Sequence, residues 1–151
     1  MRELVLREMV VADLAAVAQL EELVHVTPWS QAQILGLSGL LGGQYRGFVA
    51  QADEVVGYVV LQILVDEVEI LTIGVAKQIQ RQGAGALLIK YALTELQSQL
   101  PSVKACFLEV REGNVAAKSL YQKLNFIQVG KRQNYYQNPR EHALIYRLDL
   151  M

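Results

Sequence analysis

The chain has 151 residues, of which 52% are hydrophobic and 19% charged, with a formal net charge of −1. That balance describes a globular chain long enough to bury one real core, excludes a disordered chain, and gives no electrostatic argument for nucleic-acid binding. The single cysteine, Cys106, excludes an internal disulfide and a cysteine-cluster metal site.

Residues 3–9 alternate apolar and polar side chains, which predicts a first strand. Residues 11–25 place Leu14, Val17, Leu20 and Val24 at helical spacing. Thr27, Pro28 and Trp29 interrupt that helix, and Ser30 can cap a second one running to about Leu40, before Gly42 and Gly43. Residues 23–45 carry no charge, yet Pro28, Gln31, Gln33, Gly42 and Gly43 argue against a transmembrane span. Arg2, Glu3, Arg7 and Glu8 do not fit a secretory signal, so the expectation is a cytoplasmic protein with no membrane partner.

Residues 48–51 and 55–64 read as strands joined by a turn at Ala52, Asp53 and Glu54. A turn near Asp66 leads to a further strand over 68–75. The run Gln80-Arg81-Gln82-Gly83-Ala84-Gly85-Ala86-Leu87 then opens a helix with Ile89, Ala92, Leu93, Leu96 and Leu100 on one face, ending before Pro101. Residues 103–111 predict a strand, 114–124 a helix, and 126–129 a strand forming a hairpin with 143–150. With no repeat or linker, this order describes one α/β domain over residues 1–151, a mixed sheet covered by helices.

The glycine run carries the most chemistry. Two glycines allow a tight curl that leaves backbone N–H groups uncovered at a helix start, where the macrodipole also favours negative charge. A P-loop would need Gly-Lys-Ser/Thr, but Ala86 and Leu87 follow Gly85; a dinucleotide fingerprint would need glycine at Leu88. The pattern fits a phosphate or pyrophosphate, or a tight turn that binds nothing.

On a second strand, Glu109 shares a face with Ala105 and Phe107, while Cys106 points to the other face. A carboxylate leaving an apolar face at a strand end can serve as a general base, or it can pair with Arg111 or a lysine. Tyr121 falls on a helical stripe with Ala117, Leu120 and Leu124, where a core tyrosine also sits. Asn114 is placed to be a helix N-cap. His25 and His142 lie far apart and unaccompanied, so no metal site is expected.

Taken in order, residues 25–30, 73–85, 108–114 and 119–126, with Asn134, Tyr135 and Tyr136, resemble the GNAT superfamily of N-acetyltransferases. Within it they are most similar to the bacterial ribosomal-protein-alanine N-acetyltransferase (RimI) type. The resemblance implies a GNAT fold, a mostly antiparallel sheet of about six to seven strands flanked by about four helices. It implies acetyl-CoA as co-substrate, held by Ile73, Gly74, Val75, Arg81, Gln82, Gly83, Ala84, Gly85, Ala86 and Asn114. It also implies Glu109 as general base, Tyr121 as general acid, and Trp29, Tyr135 and Tyr136 as walls around the acceptor. The acceptor implied is the N-terminal alanine of a small-subunit ribosomal protein, with no direct nucleic-acid contact.

Chemistry bears on these roles. A tyrosine of pKa about 10 is a weaker acid than a thiol of about 8.5, so Tyr121 either has its acidity raised by the site or hydrogen-bonds the leaving thiolate. An α-amine of pKa about 8 loses its proton more easily than a lysine of about 10.4, by roughly 3 kcal/mol, which favours protein N-termini. A lysine or small-molecule acceptor, and an acyl-CoA-binding module without turnover, stay open. The chain departs from the resembled pattern at Asn125, which replaces a glycine but tolerates a left-handed cap, at the small Ala84, and over residues 138–142.

Overall fold

The structure, a computed structural model, describes residues 3–150, so the two ends of the expected 1–151 domain lie outside it. Among the described residues, seven strands form one sheet: β1 (Val5–Glu8), β2 (Tyr45–Gln51), β3 (Val55–Leu64), β4 (Glu67–Val75), β5 (Ala105–Arg111), β6 (Ile127–Tyr136) and β7 (Glu141–Asp149). Four α-helices flank it: α1 (Leu14–Val24), α2 (Gln31–Leu35), α3 (Ala84–Gln99) and α4 (Val115–Lys123). The strand order is β1-β2-β3-β4-β5-β7-β6, and every neighbouring pair is antiparallel except β4 with β5. The mixed, mostly antiparallel sheet expected from the resemblance is the one observed.

Local sequence explains the helix ends. Ser30 Oγ accepts the Gln33 N–H at 3.1 Å while Gln33 Oε1 accepts the Ser30 N–H at 2.8 Å, a reciprocal box that starts α2. The chain then tightens into a 3₁₀ turn over Gly36–Gly39, so the helix expected to reach Leu40 is α-helical only in its first part. Asn114 Oδ1 caps α4 by accepting the Ala117 N–H at 3.1 Å. That helix ends at Asn125 with φ of 71°, where the Phe126 N–H returns to the Tyr121 carbonyl at 3.0 Å. Asparagine therefore fills the left-handed position usually given to glycine.

Two strands depart furthest from the sequence expectation. β2 starts at Tyr45, earlier than the expected Phe48, and β6 runs on to Tyr136 where the expected strand stops at Val129. β6 is the sheet's edge and is largely exposed, so it has no reason to alternate apolar side chains. Its ladder nonetheless continues through Arg132 opposite Ala143 to Tyr136 opposite Glu141.

The sheet divides two cores. Phe48, Leu61, Val68, Leu88, Leu96 and Leu108 pack on the α3 side. Leu14, Val17, Ile34, Val49, Tyr58 and Val60 pack beneath α1 and α2. β4 changes phase between the two. Val60 pairs with Thr72 but Leu61 pairs with Ile70, which leaves Leu71 as the extra residue of a bulge. Before the bulge Val68 and Ile70 enter the α3-side core; after it Ile73 and Val75 do. The parallel ladder with β5 runs from Glu67 opposite Ala105 to Ile70 opposite Leu108 and stops there. Residues 71–75 thus keep an edge toward β5 with no strand on it. That opening is where the site forms.

Candidate active site

The first wall of the opening is the glycine run. After β4 the chain makes a 3₁₀ turn over Lys77–Ile79, and the Gln80 side chain ties it back by donating to the Val75 carbonyl at 2.8 Å. Arg81 and Gly83 both have positive φ, 67° and 85°. A Cβ added at Gly83 would meet nothing within 4 Å, so its φ, not crowding, is what asks for glycine. The Leu87 N–H reaches the Gly83 carbonyl at 3.0 Å, so the N–H groups of Ala84, Gly85 and Ala86 precede the first α-helical bond.

Gly85 corrects the two-glycine curl. It lies inside α3, and a Cβ there would sit 3.3 Å from Leu120 Cδ2. Its smallness lets the start of α3 approach α4. Free donors, small side chains and an αL glycine fit a pyrophosphate. Arg81 makes no hydrogen bond or ion pair with another described residue, so its guanidinium is available to an anion. A pocket of about 370 Å³ behind the loop shares Gln82 and Ala84 with it and is lined by Leu4, Asp53, Val56 and Ile79. Since it contains neither Glu109 nor Tyr121, it is separate from the opening between β4 and β5.

The second wall is the end of β5. Cys106, Leu108 and Val110 enter the α3-side core, which leaves Phe107, Glu109 and Arg111 on the other face. The Glu109 side chain is 19% exposed and its Oε1 lies 3.2 Å from Nε of Arg132, a residue with no local sequence signal for that position. Arg111, the partner expected if Glu109 were merely structural, pairs instead with Glu141 at 3.2 Å. Glu69, next to the β4 bulge, joins the same group. Burial, and next the charge of Glu109, push its carboxyl above the usual range, while Arg132 opposes the shift. Arg132 thus pairs with Glu109 while its charge also acts on Glu69.

Tyr136 closes in on this group, and Tyr121 approaches Tyr136 from the α3-side core. Tyr121 is 6% exposed and packs against Phe126 and Tyr146, with ring centroids 5.8 and 6.3 Å away. Burial, followed by the nearby Cys106 and Tyr136, raises its hydroxyl above the ordinary tyrosine range. Among the described residues no fully buried side-chain oxygen or nitrogen lacks a partner, and the Tyr121 hydroxyl has none, so its oxygen retains a small exposed surface. Tyr136 is partly buried, and burial and then the Glu109 charge raise its hydroxyl too. Its neighbour Tyr135 is 48% exposed and lies under the Arg132 guanidinium, 5.0 Å from its ring centroid. Of the two expected tyrosine walls, Tyr136 faces inward and Tyr135 outward.

Trp29 belongs to the loop between α1 and α2 and packs on the core beneath those helices. A buried carboxylate fixes that loop. Glu21, 1% exposed, accepts the Trp29 N–H at 2.9 Å, the Tyr58 hydroxyl at 2.5 Å and the Thr72 hydroxyl at 2.7 Å. His25 stands 3.6 Å from the same carboxylate. Glu21 thus joins α1, β3, β4 and the Trp29 loop. Gly74 belongs to this arrangement, because a Cβ there would overlap the Tyr58 ring and hydroxyl. Sequence reasoning missed Glu21, Glu69 and Arg132. A glutamate within a helix face that is otherwise apolar was the signal available for Glu21.

An anion cradle and a half-buried carboxylate across an opened parallel strand pair describe an acyl-transfer site. Residues 13–126 match the acetyltransferase (GNAT) family. The chain belongs to that family. Relatives within it include the ribosomal protein bS18-alanine N-acetyltransferase of Salmonella typhimurium, 33% identical over 131 residues that cover 86% of this chain and 85% of the relative. The enzyme of the same description from Escherichia coli is 33% identical over 141 residues, covering 91% and 92%. Among solved structures, the Escherichia coli ribosomal-protein-alanine N-acetyltransferase superposes with a TM-score of 0.87 at 30% identity, covering 97% of this chain and 94% of that one. Ard1 from Thermoplasma volcanium gives 0.86 at 25% identity, covering 98% of each. No described helix of this GNAT chain is long and apolar enough to cross a membrane.

Proposed function

We propose that this GNAT enzyme acetylates the N-terminal α-amine of a protein, with the N-terminal alanine of ribosomal protein bS18 as acceptor. The observation that carries the reading is the half-buried Glu109 carboxylate on the wall of an opening whose other wall is the anion cradle. The named activity of relatives about one-third identical over most of the chain supports it.

Acetyl-CoA, when bound, supplies the acetyl group as a thioester. The N–H groups of Ala84, Gly85 and Ala86, with Gln82, Gly83 and Arg81, would hold its pyrophosphate. The unpaired edge of β4 at Ile73, Gly74 and Val75 offers main-chain groups to its amides, as an added strand would. Asn114 lies at the α4 end of the same opening, and its Oδ1 is engaged as the helix cap. Glu109 takes a proton from the acceptor nitrogen, through water or directly. The raised proton affinity of Tyr121 makes it a poor proton donor, so toward a bound thioester its hydroxyl would serve as a hydrogen-bond donor to the sulfur rather than as a general acid. Trp29 and Tyr136 flank the incoming chain end.

The test is thiol release with three matched peptides: one with a free alanine terminus, one with that terminus blocked and an internal lysine, and one with neither amine. Release confined to the first, and lost in Glu109→Gln, is the expected result. Turnover of the lysine peptide would reassign the acceptor. Acetyl-CoA binding without release on any amine would replace the enzyme reading with that of a binding module.

A further inference from the structure

Arg111 makes more long-range polar contacts than the proposed chemistry uses. It ends β5 on the Glu109 face, with a side chain only 16% exposed. Nη2 donates to Thr27 Oγ1 at 2.6 Å. Nη1 donates to the Pro139 carbonyl and to Glu141 Oε1, both at 3.2 Å. The guanidinium plane lies over Tyr136, 4.2 Å from its ring centroid. Glu141 is itself fixed, because its other oxygen accepts the Gly113 N–H at 2.5 Å.

These partners come from separate parts of the chain. Thr27 belongs to the α1–α2 loop that carries Trp29, and Tyr136, Pro139 and Glu141 belong to the β6–β7 hairpin. One guanidinium therefore ties together both walls of the acceptor side, above the face that carries Glu109. A planar fork with five donors suits this task; a lysine, with a single ammonium, cannot reach all these acceptors at once.

Resting on the α-amine reading above, we propose that Arg111 is a specificity-determining positioning residue. By bonding Thr27 on one side and the hairpin on the other, it holds the two walls together, so that the acceptor side admits a chain end and disfavours a lysine in the middle of a chain. Arg111 does not touch the reacting atoms; it acts through the spacing of Trp29 and Tyr136. Its bonds are charge-assisted, so losing the cross-link has a measurable effect on acceptor binding.

The experiment compares wild type, Thr27→Val, Arg111→Lys and Arg111→Ala on the free-alanine peptide and the blocked-alanine lysine peptide. The Michaelis constants for acceptor and for acetyl-CoA, kcat and the melting temperature are measured for each. Thr27→Val removes only the cross-wall bond and should raise the acceptor KM by about three- to tenfold, leaving the acetyl-CoA KM unchanged and lowering the melting temperature less than Arg111→Ala does. Arg111→Ala should lower the preference for α-amine over lysine on the order of tenfold, and Arg111→Lys should not restore it. If the selectivity ratio and acceptor KM stay at wild-type values in Thr27→Val and Arg111→Ala, and only the melting temperature falls, Arg111 is a structural tie and the inference is overturned. A wild-type enzyme inactive on the alanine peptide overturns the acceptor reading itself, and this is seen before any variant is compared.

Discussion

The two sides of the opening are built by different means. The loop side is made of backbone: a left-handed glycine, small residues opening a helix, and a strand edge freed by a one-residue bulge. The acceptor side is made of charged side chains that meet across long stretches of chain, with Glu21 joined to Thr72, Arg111 to Thr27, and Glu109 to Arg132. An anion carried by every molecule of a co-substrate is well served by fixed N–H groups, which need no side-chain ordering when it binds. An acceptor chosen for its chain end needs walls at a set separation, and side-chain networks supply that. The loop side should therefore fail when backbone geometry is disturbed, and the acceptor side when a charge is removed.

The sharpest test of this division is Glu109→Gln. It should lower kcat/KM by about 10²- to 10⁴-fold while acetyl-CoA affinity, measured by calorimetry, stays at the wild-type value. Next comes Glu21→Ala, which strands the Tyr58 hydroxyl and the Trp29 N–H and leaves the Thr72 hydroxyl only its His25 contact. A stability loss of roughly 3 kcal/mol by urea titration is expected, with the acceptor KM rising more than the acetyl-CoA KM. On the loop side Gly83→Ala forces a side chain into the left-handed region at a cost of about 1–2 kcal/mol, with open space around the new Cβ. It should raise the acetyl-CoA KM and leave the acceptor KM alone; a change confined to the acceptor would break the comparison.

The smallest expected effect has a definite sign. Burial, and then the Glu109 charge, raise the Glu69 carboxyl above its unfolded value, so the folded protein holds that proton more tightly. This contribution to stability is present at pH below the ordinary carboxylate range and is lost as pH rises through the raised folded value. Glu69→Gln should thus be more stable than wild type at neutral pH, and the difference should shrink to nothing near pH 4. A variant less stable than wild type at pH 7 would mean that Arg132 outweighs burial and the Glu109 charge.

The same division explains what could be read from the chain alone. Helix α3, the hairpin and the glycine loop declare themselves through periodicity and composition, which are local. Asn125 as a left-handed cap was legible because its chemistry depends on its own φ. Glu109 and Tyr121 were legible through resemblance to a family pattern. The partners that set their environment were not: Arg132 lies on an edge strand without apolar alternation, and Thr27 meets Arg111 across 84 positions. Glu69 stands in a mostly apolar strand, and the parallel register that sets it opposite Phe107, within reach of the Glu109 charge, leaves no mark at its own position. Gly85 looked like part of a curl, because spacing cannot separate a glycine needed for φ from one needed for close approach.

Cys106 sits on the core face of β5, directly behind the Glu109 face. It is fully buried, and its thiol is pushed up to about 12, by burial first and by the neighbouring Glu69 charge second. At neutral pH an alkylating reagent thus meets neither a thiolate nor an accessible sulfur while the α3-side core is closed. Each modified molecule records one opening of the core behind the site. With no other thiol in the chain, intact-mass spectrometry would read that opening frequency directly, without a dye or an engineered label. Ligands that seat between β4 and β5 would announce themselves by slowing the appearance of the adduct.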